Sequence, residues 1–336
     1  MKNAKSVSLR DVAKRSKVSV STVSRVINET GNIDPVTLRR VQKAIKALDY
    51  KPNRVAQRLR LPSGQRKLIG LLVPDIQNPF YVDVVKGVED LAHEKGYAVF
   101  MGNFGQEENK EALYLDLMLS ESVDGLIVAP SNEKQSKIVE LVKNEFPLVC
   151  IDRSLSAIDS DVVLVNNAQA AFDAVEHLVQ RGHKRIAYIG GLPTISTTAE
   201  RNEGYIRALT KHGIGIDKQL IRFGDSKHES GKMLAGELLD LPKPPTAFFT
   251  GNSLITLGAL ETIHTRGMRI PEDIAIVGFD DMPWSISLNP PLTAVSQPGF
   301  EIGKRATEML LHRIVDPQRK PVRVSLNAEL IVRKST

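Results

Sequence analysis

The chain has 336 residues, of which 42% are hydrophobic and 25% are charged, so it can bury a large core in two or three domains. No segment approaches the roughly 20 apolar residues of a membrane helix, and the first residues lack the apolar run of a secretory signal. The sequence therefore predicts a cytoplasmic protein with no membrane partner. The single cysteine, Cys150, excludes an internal disulfide, and its apolar surroundings predict a core position.

The charge is distributed unevenly along the chain. Residues 1–66 contain sixteen Lys and Arg against four Asp and Glu, a net charge of +12, whereas the remainder contains 29 basic and 35 acidic residues, a net charge of −6. A small module this basic is typical of a nucleic-acid partner, because neutralising phosphates supplies much of the binding free energy. A solvated basic surface is the alternative that charge alone leaves open.

The basic module shows the pattern of three short amphipathic helices. Ser8 can cap the first, the second spans about residues 21–28 after a break at 18–19, and Asp34 followed by Pro35 signals the start of the third. Two helices joined by a tight turn form a helix-turn-helix, whose second helix enters the major groove of DNA. An ordinary three-helix packing domain is the alternative, which the exposed Ser, Thr and Arg side chains and the positive charge disfavour.

The acidic body shows a βαβ rhythm twice over. The first series of strand-like runs includes KLIGLLVPD and GLIVAPS, and the second includes RIAYIGG and DIAIVGFDD. Two such series predict two doubly wound subdomains with parallel sheets. Ligands bind beyond the carboxyl ends of parallel strands, so the polar residues that end the runs are expected to face one cleft. A turn or helix cap is the commoner role for any one strand-end Asp or Asn.

Four segments together resemble the lactose/galactose repressor (LacI/GalR) family of bacterial transcription regulators. They are LRDVAKRSKVSVSTVSRVIN, KPNRVAQRLR, IGLLVPDIQNPFY, and PEDIAIVGFDD with the NPPLTAVSQP that follows it. The resemblance covers essentially the whole chain. It implies a small all-α helix-turn-helix domain (1–52), joined by a hinge (53–66) to an α/β periplasmic-binding-protein-like core (67–336) of two doubly wound parallel-sheet subdomains. The N-lobe would comprise about 67–166 plus 297–326, and the C-lobe about 167–296 plus 327–336.

The resemblance also assigns DNA contacts to the helix-turn-helix and the hinge. Arg25 is the best candidate for a bidentate contact to guanine, whereas Val20 can touch only an apolar surface such as a thymine methyl group. Leu59 matches a leucine that is wedged between base pairs in the minor groove. Packing against the body is the alternative, and for Leu61 it is the preferred interpretation. The predicted DNA-binding set is Ser8, Val20, Ser21, Thr22, Ser24, Arg25, Asn28, Asn53, Arg54, Ala56, Arg58, Leu59 and Arg60.

By the same resemblance, a small effector binds between the two lobes. The predicted effector-binding set is Phe80, Tyr81, Asn103, Asp152, Arg153, Arg201, Asn252, Asp280, Trp284 and Gln297. For Arg201, the alternative is a surface ion pair with Glu200 or Glu203 on the same helix.

Three positions depart from the family pattern. Ser253 replaces a common aspartate, Ser226 replaces a common aromatic residue, and the only tryptophan, Trp284, stands at the expected mouth of the cleft. Arg153 and Arg201 can clamp a carboxylate bidentately. These features resemble the branch of the family that answers sugar acids, which implies a sugar acid such as gluconate or a keto-aldonate as effector, with a neutral sugar or a sugar phosphate as alternatives.

The sequence predicts a regulator and not an enzyme. The first strand of the body is not followed by a Gly-rich phosphate loop, and neither a serine elbow nor metal-ligand spacing is present, so we expect no cofactor and no metal. The expected protein is a cytoplasmic, nucleoid-associated repressor of a carbohydrate catabolism operon, under allosteric control by its effector. The expected partners are pseudo-palindromic double-stranded operator DNA, the effector and a second copy in a homodimer. The alternatives are a global catabolite regulator with a phosphoprotein corepressor, a transport binding protein, and a sugar-processing enzyme with a DNA-binding accessory domain.

Overall fold

The computed structural model describes residues 8–27, 33–48, 50 and 67–336. The chain divides into two compact units, residues 1–62 and 63–336. Within the described ranges, none of the helices combines the length and the apolar character needed to cross a membrane.

The described part of the first unit is helical. Its helices are α1 (Leu9–Ser16), α2 (Val20–Ile27) and α3 (Pro35–Ala47). Helix α1 begins with a capping box, in which the side chains of Ser8 and Asp11 each accept a hydrogen bond from the other's backbone. Asp34 caps α3, since its carboxylate accepts a hydrogen bond from the Thr37 backbone at 3.0 Å. The three helices bury a small apolar core made of Val12, Ala13, Val23, Val26, Val41, Ala44 and Tyr50.

The second unit alternates strands and helices, which confirms the predicted fold class. Its strands are β1 (Leu68–Val73), β2 (Ala98–Asn103), β3 (Gly125–Val128), β4 (Leu148–Ile151), β5 (Asp161–Val165), β6 (Ile186–Gly190), β7 (Ile221–Phe223), β8 (Ala247–Thr250), β9 (Ala275–Phe279), β10 (Thr293–Ser296), β11 (Arg323–Leu326) and β12 (Glu329–Ile331). Its helices are α4 (Pro79–Glu94), α5 (Glu108–Ser120), α6 (Ser136–Lys143), α7 (Asn167–Gln180), α8 (Ser196–Lys211), α9 (His228–Leu239), α10 (Ser253–Thr265) and α11 (Gly299–Val315).

The strands form two six-stranded sheets with matching topology. The first sheet has the order β11-β5-β4-β3-β1-β2, and the second has the order β12-β10-β9-β8-β6-β7. Neighbouring strands run parallel, apart from the antiparallel pair β10 and β12. Every residue of β1, β3, β4 and β5 is buried, as expected for a parallel sheet covered on both faces by helices. The first lobe is the part built on the first sheet, with α11 packed on it, and the second lobe is the part built on the second sheet.

The chain passes between the two lobes three times. The passages are residues 165–167, 296–299 and 326–329, each lying between an element of one sheet and an element that packs on the other. Two of the passages are tied together, because the Asn166 side chain accepts a hydrogen bond from the Ala328 backbone at 2.8 Å. The carboxyl ends of the parallel strands of both sheets therefore meet at these connections.

Candidate functional site

Helix α2 presents the polar face expected of a recognition helix. Val23 and Val26 are buried in the small core, whereas Ser21 and Arg25 are exposed and Val20 keeps 44% of its accessible surface. The first turn is capped locally, since the Ser19 hydroxyl accepts a hydrogen bond from the Thr22 backbone at 3.1 Å. The side chains at the start of α2 are therefore held in a defined arrangement.

The other predicted DNA-contact residues differ in exposure, and some lie outside the described residues. Ser8 is exposed but its hydroxyl donates to Asp11 at 2.7 Å, so it also serves the α1 cap. Thr22 and Ser24 are partly buried on α2. The remaining predicted positions lie outside the described residues: Asn28, Asn53, Arg54, Ala56, Arg58, Leu59 and Arg60.

A polar cleft lies where the carboxyl ends of the two sheets face each other. Its cavity of about 50 Å³ exceeds the roughly 10–15 Å³ that a single water needs. Eight residues of the predicted effector-binding set line it: Phe80, Tyr81, Asp152, Arg153, Arg201, Asn252, Asp280 and Gln297. The structure therefore brings together residues that are far apart in the sequence and belong to both lobes.

Arg201 forms the floor of the cleft on the second lobe. It is buried, and it donates from Nε to Asn167 Oδ1 at 2.9 Å and from Nη1 to the Gly251 carbonyl at 2.6 Å. Its guanidinium lies 3.7 Å above the centre of the Phe279 ring, a cation–π geometry. The surface ion pair considered from the sequence is not formed, because the side chain points inward from α8.

Asp280 lies beside it at the end of β9, with a left-handed backbone (φ 75°). Its carboxylate accepts hydrogen bonds from the Ser253 backbone at 3.2 Å, from the Asn78 amide at 3.4 Å and from the Gln297 amide. Burial raises the pKa of Asp280, whereas the charge of Arg201 acts in the opposite direction.

The first lobe contributes a second guanidinium. Arg153 donates from Nη1 to Gln106 at 3.1 Å and to the Pro130 carbonyl at 2.9 Å, and its Nε lies 3.4 Å from Asp152. That buried Nε has no hydrogen-bond acceptor within the described part of the chain. Asp152 also accepts a hydrogen bond from the Tyr81 hydroxyl at 2.8 Å. Burial and the neighbouring Asp152 charge hold the pKa of Tyr81 well above its ordinary value.

Two predicted effector residues do not line the cavity. Asn103 ends β2 but does not line the cavity, although Gln106 in the loop that follows does. Trp284 instead packs against the apolar core of the second lobe. The sequence placed both by strand-end position and resemblance, which do not specify the direction of a loop after its strand.

Other lining residues were absent from the predicted set. Asn78 caps α4 and faces the cavity, and Asp75 follows β1. Asp225 and Lys227 lie in the loop after β7, and Gln106 lies in the loop after β2. The signal that selected Asp152 and Asp280, a polar residue just beyond a strand, also applies to the loop after β7. Further lining residues are Gly191, Ile195, Thr197, Thr198, Ser226, Gly251 and Leu254.

Comparisons with known families agree with this architecture. Residues 8–53 match the model described as "Bacterial regulatory proteins, lacI family", and residues 66–334 match "Periplasmic binding proteins and sugar binding domain of LacI family". The chain belongs to the LacI family. It is a DNA-binding transcriptional repressor, as are its relatives, and the predicted absence of enzymatic activity is confirmed by their regulatory character.

Individual LacI family members are similar over nearly the full length. The transcriptional repressor CytR of Escherichia coli K12 is 33% identical over 335 residues, covering 100% of this chain and 98% of the relative. Catabolite control protein A of Priestia megaterium is 37% identical over 305 residues, covering 90% and 91%. The Lac repressor dimer bound to operator and the anti-inducer ONPF has a TM-score of 0.83 at 28% identity, covering 98% and 99%. The transcriptional regulator CelR in complex with cellobiose has a TM-score of 0.75 at 30% identity, covering 98% and 100%.

Proposed function

We propose that this LacI family member represses a carbohydrate catabolism operon and that a sugar-derived effector held in the cleft controls its operator affinity. The best candidate for the effector is a sugar acid such as gluconate or a keto-aldonate. The observation that carries this proposal is the convergence of three cations on one cavity, Arg153 from the first lobe and Arg201 and Lys227 from the second. A guanidinium can bind a carboxylate bidentately, so Arg153 and Arg201 favour an anionic ligand although four aspartates also line the cavity.

The hydrogen-bonding capacity of the cleft supports the same ligand class. A guanidinium offers five N–H donors, and among the described residues Arg201 donates to two protein acceptors, Asn167 and Gly251. Arg153 has a buried Nε without an acceptor among the described residues. The carboxylate of Asp280, by contrast, already accepts hydrogen bonds from protein donors. Arg201 therefore has N–H donors left over in the cleft, and a ligand rich in acceptors fits them.

A neutral sugar is the second candidate. Structures similar to this chain include a complex with cellobiose and a regulator from Enterococcus faecium with bound ribose. Four aspartates line the cleft and suit ligand hydroxyls: Asp75, Asp152, Asp225 and Asp280. A sugar phosphate shares the anionic chemistry of the first candidate. Similarity to catabolite control protein A keeps a global regulator with a phosphoprotein corepressor as a further alternative.

A homodimer on pseudo-palindromic operator DNA completes the proposal, acting in the cytoplasm at the nucleoid. Exposed apolar side chains occur on both lobes, with Leu113 and Leu117 one turn apart on α5 and Met101 on the edge strand β2. Met233 and Leu257 are exposed on α9 and α10, which pack against each other. Apolar surface of this kind supports burial against a second copy, and a two-fold dimer matches two half-sites.

The test is a calorimetric titration of the full chain with gluconate, a keto-aldonate, glucose 6-phosphate, glucose, ribose and cellobiose. We expect the sugar acids to bind, and to bind about 1.4- to fivefold more weakly to Lys227→Met, because an exposed ion pair contributes about 0.2–1 kcal/mol. Lys218→Met, which removes an exposed cation outside the cleft, is the matched control. Binding of the neutral sugars with failure of every acid and phosphate would reject the sugar-acid proposal.

A further inference from the structure

The two lobes are joined across the cleft by polar contacts between their own side chains. Asn78 belongs to the first lobe, at the start of α4, and Ser253 and Asp280 belong to the second, after β8 and β9. The Ser253 hydroxyl donates to Asn78 Oδ1 at 3.1 Å, and Asn78 Nδ2 donates to Asp280 Oδ2 at 3.4 Å. These contacts are separate from the three passages of the backbone.

The three side chains are almost completely buried, with exposures of 8% for Asn78, 2% for Ser253 and 3% for Asp280. Bonds between buried polar groups are shielded from competing water, so opening the lobes exchanges them for bonds to water at a net cost of about 0.5–1.5 kcal/mol each. The shorter bond, from Ser253, is the one with the better distance for a hydrogen bond.

The chemistry of position 253 determines whether the contact forms. Asn78 Oδ1 already accepts the Phe80 backbone N–H of the α4 cap at 3.0 Å, so a partner at this atom must be a donor. The serine hydroxyl is a donor, whereas an ionised aspartate is only an acceptor. An aspartate at position 253 would also face the carboxylate of Asp280. The serine that departs from the family pattern is therefore the residue type that this contact requires.

We propose that Asn78, Ser253 and Asp280 form an interlobe latch that holds the cleft closed without a bridging ligand, and that Ser253 is its positioning residue. Asn78 and Asp280 also line the cavity, so an effector of any class must displace the latch or adapt to it. The population of open protein then limits effector entry, and the apparent affinity falls in proportion to that population.

Three variants test the latch by amide hydrogen exchange on the full chain without DNA or sugar. Ser253→Ala removes the hydroxyl donor but keeps the backbone N–H that reaches Asp280. Asn78→Asp keeps an acceptor for the α4 cap but cannot donate to Asp280 and repels it. Ser230→Ala is the matched control, since the Ser230 hydroxyl accepts a hydrogen bond from the Asp225 backbone, inside the second lobe.

We expect Ser253→Ala to speed exchange of the first-lobe residues 76–82 about three- to tenfold, the factor that corresponds to one buried hydrogen bond. Asn78→Asp should give a larger increase in both lobes, and Ser230→Ala should leave residues 76–82 unchanged. The buried strand β1 serves as an internal reference and should exchange at the wild-type rate in all three variants. The latch is refuted if Ser253→Ala and Asn78→Asp match the control, or if the increase stays within the second lobe.

Discussion

Replacing Arg201 by Met should lower the free energy of unfolding by about 4–8 kcal/mol, because two buried acceptors lose their donor and a cation–π contact is lost. Methionine fills most of the volume but donates no hydrogen bond, so Asn167 Oδ1 and the Gly251 carbonyl lose their donor. Each buried acceptor left unmatched costs about 1–3 kcal/mol. The cation–π contact with Phe279, about 2 kcal/mol when desolvated, is lost as well.

Urea denaturation followed by tryptophan fluorescence is a suitable assay. The only tryptophan, Trp284, packs on the core of the second lobe and reports on the lobe that holds Arg201. Arg207→Met is the matched control on the same helix, because the Arg207 guanidinium lies 3.7 Å from Glu203 on the exposed surface. Its loss should be about 0–1 kcal/mol. Equal losses for the two variants would refute the argument that burial makes Arg201 structural as well as ligand-facing.

Three further outcomes are expected. Arg25→Ala should weaken binding to a selected operator by about 1–3 kcal/mol in fluorescence anisotropy, with little change in binding to random DNA. Equal weakening on the operator and on random DNA would contradict a base-reading role for Arg25. Arg313→Met should destabilise the first lobe by about 1–3 kcal/mol in urea denaturation followed by far-UV circular dichroism, because the buried Asp161 loses the guanidinium 2.9 Å away and keeps only Arg319 at 3.5 Å as an ion-pair partner among the described residues. An unchanged midpoint would contradict this. Burial lowers the pKa of His177 below its ordinary 6.5. As the pH falls through 6.5, the unfolded chain therefore takes up a proton at this residue before the folded protein does, and the free energy of unfolding decreases. The melting temperature should therefore drop between pH 7.5 and 5.5, less so for His177→Gln, and identical profiles would exclude the histidine as a cause.

Local signals allowed much of this structure to be predicted from the sequence. Ser8 and Asp34 cap helices through bonds that span only three residues, so the sequence contains both partners. Asp152 and Asp280 were located by the rule that ligand-facing groups follow parallel strands, which needs the strand pattern but no side-chain detail. The interlobe role of Asn78 was not predictable, because its partners lie 175 and 202 positions away and the contact depends on how the lobes are placed.

The same limit applies to Asn103, which was predicted to bind the effector but does not line the cavity. Its strand signal was correct, since β2 ends at that residue. The connection after β2 does reach the cavity, but through Gln106. Which side chain of a connection faces the cleft depends on how that loop packs against its neighbours, so a pattern read one segment at a time does not contain it.

The three passages between the lobes also limit how the lobes can move. One flexible connection would leave a lobe free to swing and twist in any direction. Three connections side by side, two of them bonded through Asn166 and Ala328, leave little freedom beyond rotation about a common axis. With a single degree of freedom, any ligand in the cleft can only widen or narrow the cleft. Chemically different ligands would therefore produce one kind of movement at the end of the first lobe that is opposite the cleft.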